Sequence, residues 1–141
     1  MLLVYGGVGN GKTYLLEALS IELHNIGIYA PVIIWSELMR TFKKGMNRRP
    51  EPYAKTYDEL FEIYLKMKYL ILDDVGMGSS GSDWEWGQLE EIVNYRYRER
   101  LPTIIATNKD LLELPERIVS RFGDPEAGVI VLNEGRDYRR R

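Results

Sequence analysis

The segment GGVGNGKT, Gly6–Thr13, directly follows the apolar run LLVY, Leu2–Tyr5, and constrains the fold more than any other feature. Gly6, Gly11, Lys12 and Thr13 fit G-x-x-x-x-G-K-[ST], a pattern that carries chemistry only between a strand and a helix. Both neighbours are present. Leu2–Tyr5 reads as the strand. Lys12–Ile26 reads as the helix, with Leu15, Leu16, Leu19, Leu23 and Ile26 on one side and Gly27 as its stop. Glycines let backbone N–H groups close around phosphates, and the helix N-terminus adds the positive end of its dipole. The expected phosphate-binding set is Gly6, Gly7, Val8, Gly9, Asn10, Gly11, Lys12, Thr13 and Tyr14. The expected ligand is ATP or ADP with Mg²⁺: Lys12 is expected to reach the β-phosphate and, in ATP, the γ-phosphate, and the Thr13 hydroxyl to ligate Mg²⁺.

Four further apolar runs read as strands: Pro31–Trp35, Tyr69–Leu72, Thr103–Thr107 and Val129–Leu132. They are continuous rather than alternating, which predicts strands buried on both faces. Helices separate them. Ser36 is placed to cap one through Phe42; Thr56 with Glu59 opens Tyr57–Met67, and Ser82 with Glu85 opens Trp84–Arg100. Strands alternating with helices predict an α/β domain with a parallel sheet between helical layers. Lys43–Pro52 and Gly76–Asp83 read as mobile.

YLILDD, Tyr69–Asp74, supplies a partner for the glycine loop. Its apolar residues carry a strand through the sheet and deliver Asp73 at the C-terminal edge. Asp73 is expected to hold Mg²⁺, directly or through water, and Asp74 to orient or deprotonate a water. Asn108, at the tip of TIIATN, is able to hydrogen-bond both that water and the γ-phosphate; it equally suits the N-cap of a helix over KDLLEL. Arg117 and Arg121 lie one turn apart in PERIVSRFGD and suit an arginine finger acting on a neighbouring subunit.

Composition narrows the remaining options. The chain has 141 residues, 45% of them hydrophobic, a net charge of −2 and no cysteine. That is one domain, without disulfides or thiolate metal sites, and it fits a cytoplasmic protein. No apolar run approaches the ~20 residues needed to span a membrane. Nucleic-acid contact therefore falls to a local patch, for which Lys43, Lys44, Arg48 and Arg49 are the candidates, with Tyr53 nearby. Tyr57 is assigned to packing. Of Trp84 and Trp86, one is expected in the core and the other exposed or at an interface. His24 suits packing or dipole compensation at a helix end, and the tail RDYRRR reads as frayed.

The order of glycine loop, LILDD, TIIATN, ERIVSRF and a closing EGRDYR resembles the AAA+ ATPases of the bacterial helicase-loader type, DnaC and DnaI. The transposition helper IstB belongs to the same group. The resemblance spans essentially the whole chain and extends to PVIIWSELMRTFKKG and EEIVNYRYRERLPTIIATN. It implies a three-layer phosphate-loop fold with five parallel strands in the order 5-1-4-3-2, without a helical lid. Asn108 would be sensor 1, Arg121 the arginine finger and Arg117 its structural or interface neighbour. It further implies Mg²⁺-dependent ATP hydrolysis, self-association into a ring or filament, and a replicative helicase and single-stranded DNA as partners. Relatives carry an N-terminal partner-binding region, so residues 1–141 are read as the ATPase domain with that region removed, the alternative being an unusually short protein. No adenine-pocket residue is assigned. The readings to be separated are a helicase loader, an IstB-like helper on duplex DNA, and a nucleotide-gated binding module with little turnover.

Overall fold

The computed structural model describes residues 1–46, 54–77 and 82–138. Five strands form one sheet: β1 Leu2–Tyr5, β2 Val32–Ile34, β3 Leu70–Asp73, β4 Thr103–Thr107 and β5 Val129–Leu132. All pair in parallel, in the order β2-β3-β4-β1-β5, so that Leu3 lies opposite both Ile105 and Ile130. The implied order 5-1-4-3-2 is thus the observed one. Five α-helices surround the sheet: α1 Lys12–Asn25, α2 Trp35–Met46, α3 Tyr57–Lys66, α4 Asp83–Arg98 and α5 Glu116–Phe122.

Side chains alternate across the pleat and divide the core in two. Leu3, Leu70, Leu72 and Ile105 face α2 to α5, where Trp35, Phe42, Phe61, Leu89, Ile92, Ile118 and Phe122 are buried. On the other face Ile71, Ile104 and Ala106 meet Leu16 of α1. The result is three layers with four helices on one side and α1 on the other. Gly27 stops α1 as expected, with a positive φ and its N–H on the His24 carbonyl. The side chains of Thr56 and Ser82 accept from the N–H groups of Glu59 and Glu85, so both N-caps stand where the sequence puts them.

Several expectations are corrected. β2 is shorter than Pro31–Trp35: Trp35 opens α2, and Ser36 is not its cap. Trp35, Leu38, Met39 and Phe42 recur at helical spacing and are all buried, which outweighs the strand-like run before them. α2 continues to Met46, so Lys43 and Lys44 are helical rather than part of a loop. On α1, Leu15 and Ile26 are exposed, leaving Leu16, Leu19 and Leu23 to face the sheet. β5 is not buried on both faces: it is an edge strand, with Val129 58% exposed. Both Trp84 and Trp86 are partly buried against the core, instead of one in and one out. His24 is exposed in the last turn of α1, which leaves dipole compensation as its role. Most of Lys43–Pro52 and Gly76–Asp83, with Arg48, Arg49, Tyr53 and the last three residues of the tail, lies outside the described residues.

Candidate functional site

The parallel sheet directs the C-terminal ends of β1, β3 and β4 to one edge, where crossovers to opposite faces leave a crevice. The glycine loop leaves β1 there. Lys12 is 5% exposed, and its Nζ donates to the carbonyls of Gly6 at 2.8 Å and Gly7 at 2.7 Å and to Asn10 Oδ1 at 2.9 Å. Burial pulls its pKa below the ordinary value; the carboxylates of Asp74 and Asp73 act in the opposite sense. The ammonium is therefore held ready at the loop, within the field of both acids.

Asp73 ends β3 and is 3% exposed. Its Oδ1 accepts the N–H of Asp74 at 2.9 Å, which turns the chain sharply: Asp74 has φ 52° and is exposed. Asn108 Nδ2 donates to Asp74 Oδ1 at 3.2 Å. Behind them Val75 N–H reaches the Ala106 carbonyl at 3.0 Å and Thr107 Oγ1 donates to the Val75 carbonyl at 2.7 Å, locking the β3 and β4 tips together. The N-cap of the KDLLEL segment is Asp110, whose side chain accepts from the Leu112 N–H. Asn108 is thereby left for the cleft.

A cleft of about 710 Å³ is lined by Val8, Gly9, Asn10, Gly11, Lys12, Thr13, Tyr14, Glu17, Asp74, Met77, Asn108 and Tyr138, whereas Gly6, Gly7 and the buried Asp73 are not part of its lining. The donor set suits a phosphate with a hard cation. A glycine loop and a lysine meet the anion, and a hydroxyl and a buried carboxylate supply the oxygen ligands that Mg²⁺ takes.

The closing segment is where sequence reasoning missed most. Arg136–Tyr138 is not frayed: Asn133–Tyr138 lies on the phosphate loop. Asn10 Nδ2 donates to the Asn133 carbonyl at 2.7 Å, Asn133 Nδ2 returns a bond to the Asn10 carbonyl at 3.2 Å, and Tyr138 N–H reaches the Gly9 carbonyl at 3.1 Å. The approach needs glycine. A Cβ on Gly6 (φ 142°) would stand 2.3 Å from the Asn133 carbonyl oxygen, and one on Gly9 (φ 76°) 1.9 Å from Asp137 Oδ1. The only signal in the sequence was that EGRDYR takes part in the family resemblance.

Arg121 does not line this cleft. It borders a separate groove of about 500 Å³ between α4 and α5, with Glu90, Asn94, Tyr95 and Arg117. Its Nε donates to Asn94 Oδ1 at 3.1 Å and its guanidinium lies over Tyr97, 4.6 Å from the ring centroid. Arg117 pairs with Glu90 at 3.6 Å on the surface. Of the basic candidates, Lys43 is engaged, 2.6 Å from the buried Glu85 carboxylate and over the Trp84 ring; Lys44 is exposed. Tyr57 packs on Phe42 and Phe61 and donates to Gln88, as its assignment to packing expects.

The chain has an α/β fold with five parallel strands in the order 5-1-4-3-2, matching that of the AAA+ neighbours below. No family model matches the chain. It is similar to the replicative helicase loader DnaI of Bacillus subtilis (strain 168), 26% identical over 126 residues covering 89% of this chain and 39% of DnaI. Among solved structures it resembles a DnaC helicase loader (TM-score 0.75, 26% identity, 94% of this chain and 77% of that one). It also resembles a replication initiator DnaA bound to AMPPCP and single-stranded DNA (TM-score 0.72, 28% identity, 94% and 40%). The chain spans 25% to 28% of the length of DnaA initiators that it matches at 28% to 29% identity. Helicase loaders and initiators of DNA replication are thus among its relatives. Among the described residues no helix is long and apolar enough to cross a membrane.

Proposed function

We propose that this chain is the ATP-binding and hydrolysing AAA+ domain of a cytoplasmic replicative helicase loader, using ATP to control self-assembly and its grip on helicase and single-stranded DNA. The observation that carries this reading is the gathering of Lys12, Asp73, Asp74 and Asn108 at one sheet edge, while Arg121 stands in a separate groove. The AMPPCP and single strand held by the similar DnaA, and the helicase-loading role of the similar DnaI and DnaC, support it.

Lys12 exchanges its carbonyl partners for phosphate oxygens, and the loop N–H groups close around them. Mg²⁺, held by Thr13 and Asp73, would offset charge on the phosphates when bound. Asp74 orients the attacking water and accepts its proton. The water oxygen bonds to the γ-phosphorus as the bond to the β–γ bridging oxygen breaks, and the electron pair leaves with ADP. Asn108 touches both Asp74 and the space for the terminal phosphate. Arg121 of an adjacent copy supplies positive charge as the bond breaks, which makes a lone subunit incomplete.

Steady-state ATP hydrolysis across protein concentration, with and without single-stranded or duplex DNA, tests this. Turnover per subunit should rise with concentration and increase further with single strands. Stimulation by duplex alone would favour the IstB-like helper; a slow rate indifferent to concentration and DNA would favour the nucleotide-gated module.

A further inference from the structure

Residues beyond β5 are fastened to the phosphate loop rather than merely near it. Asn133 N–H continues the ladder to the Tyr5 carbonyl at 2.7 Å, then exchanges two side-chain bonds with Asn10. Asn10 is itself the third acceptor of Lys12 Nζ. Gly135 N–H closes a turn on Asn133 Oδ1 at 3.0 Å, Asp137 fits against Gly9, and Tyr138 N–H bonds the Gly9 carbonyl. The backbone under Tyr138 is therefore fixed while its ring stays 64% exposed and forms part of the cleft wall. Tyr14, 75% exposed, lies on the same cleft. A volume of about 710 Å³ exceeds what a phosphate chain alone fills and falls within the range of small-molecule sites.

A residue whose backbone is anchored and whose aromatic side chain is exposed on the cleft beside the glycine loop suits a planar heterocycle joined to phosphates held there. We propose that Tyr138 is the base-stacking wall of the cleft, and that Asn133–Tyr138 seats the purine of a nucleoside triphosphate within the same subunit. This rests on the nucleotide reading above and adds to it the group that holds the base. Stacking reads the π-face and not the hydrogen-bonding edge, so this wall favours ATP and GTP alike.

Calorimetric titration of the wild-type chain, Tyr138→Ala and Tyr138→Phe with Mg-ATP, Mg-GTP and Mg-tripolyphosphate separates the possibilities. Tyr138→Ala should weaken ATP and GTP by about tenfold, the scale of one stacked base. Tyr138→Phe should bind as the wild type, and tripolyphosphate should bind all three chains equally. ATP affinity unchanged in Tyr138→Ala overturns the proposal, as does an equal loss for tripolyphosphate, which would make the segment a support for the loop. If the wild type binds neither ATP nor tripolyphosphate, the nucleotide reading itself falls and this assignment with it.

Discussion

Asp74 stands in the left-handed backbone region, φ 52°, which Asp and Asn enter far more readily than other residues bearing a Cβ. Its carboxylate accepts from Asn108 while its neighbour Asp73 is buried in the strand. Two adjacent acids are thus given different surroundings, Asp73 buried and Asp74 exposed, and the proposed function assigns the first to a cation and the second to water. Asp74→Asn preserves the turn and removes the charge. It should bind ATP as the wild type does and turn it over about 10²- to 10⁴-fold more slowly, the usual contribution of a positioned base. Equal turnover in the two proteins would remove Asp74 from proton transfer. That pairing was legible because four apolar residues ending in two acids point to a strand edge and little else. Trp35 was not, since VII before it reads as strand and only its burial with Leu38, Met39 and Phe42 assigns it to a helix.

Arg96 fastens two elements. It is wholly buried, with Nε on Thr103 Oγ1 and its terminal nitrogens on the carbonyls of Tyr64, Leu65, Met67 and Pro102. Three of those carbonyls close the C-terminal end of α3, where a cation suits the dipole. Burial nonetheless pushes its pKa down to about 10, against a smaller opposing influence from Tyr95. Arg96→Ala strands all four carbonyls, and thermal unfolding should show a loss of about 3–5 kcal/mol, the cost of breaking a buried polar network. A loss under ~1 kcal/mol would mean that water replaces the guanidinium. In NYRYRER nothing marks this arginine as interior, because its partners, the Thr103 hydroxyl aside, are backbone carbonyls at the end of α3 and just before β4.

Between α4 and α5, Tyr97 donates to the Asp124 carboxylate. That bond, and a second from the Glu126 N–H, hold the Asp124 pKa below its ordinary value. The depressed value means that the contact stabilises the fold above the unfolded carboxylate pKa and is lost as pH falls through the folded one. Tyr97→Phe should move the Asp124 titration, followed by carboxyl NMR shifts, upward. An unmoved titration would exclude Tyr97 as its main partner.

At the scale of the molecule, four helices share one face of the sheet, and the cleft at the glycine loop and the Arg121 groove are distinct surfaces. The sheet order follows from the family resemblance, and the strands, β2 in part, and the Thr56 and Ser82 caps from local pattern. The seat of the closing segment was reached by neither, since Asn10 and Asn133 are 123 positions apart. If Arg121 serves a neighbour, sites must be completed between copies. The direct test mixes Lys12→Ala, which has no working phosphate loop, with Arg121→Ala, which has no finger. Each alone should be nearly inactive, whereas the mixture should regain ATP turnover, because an intact loop then meets an intact arginine across the interface. A mixture no more active than the sum of its parts, or an Arg121→Ala chain as fast as the wild type, would contradict the shared site.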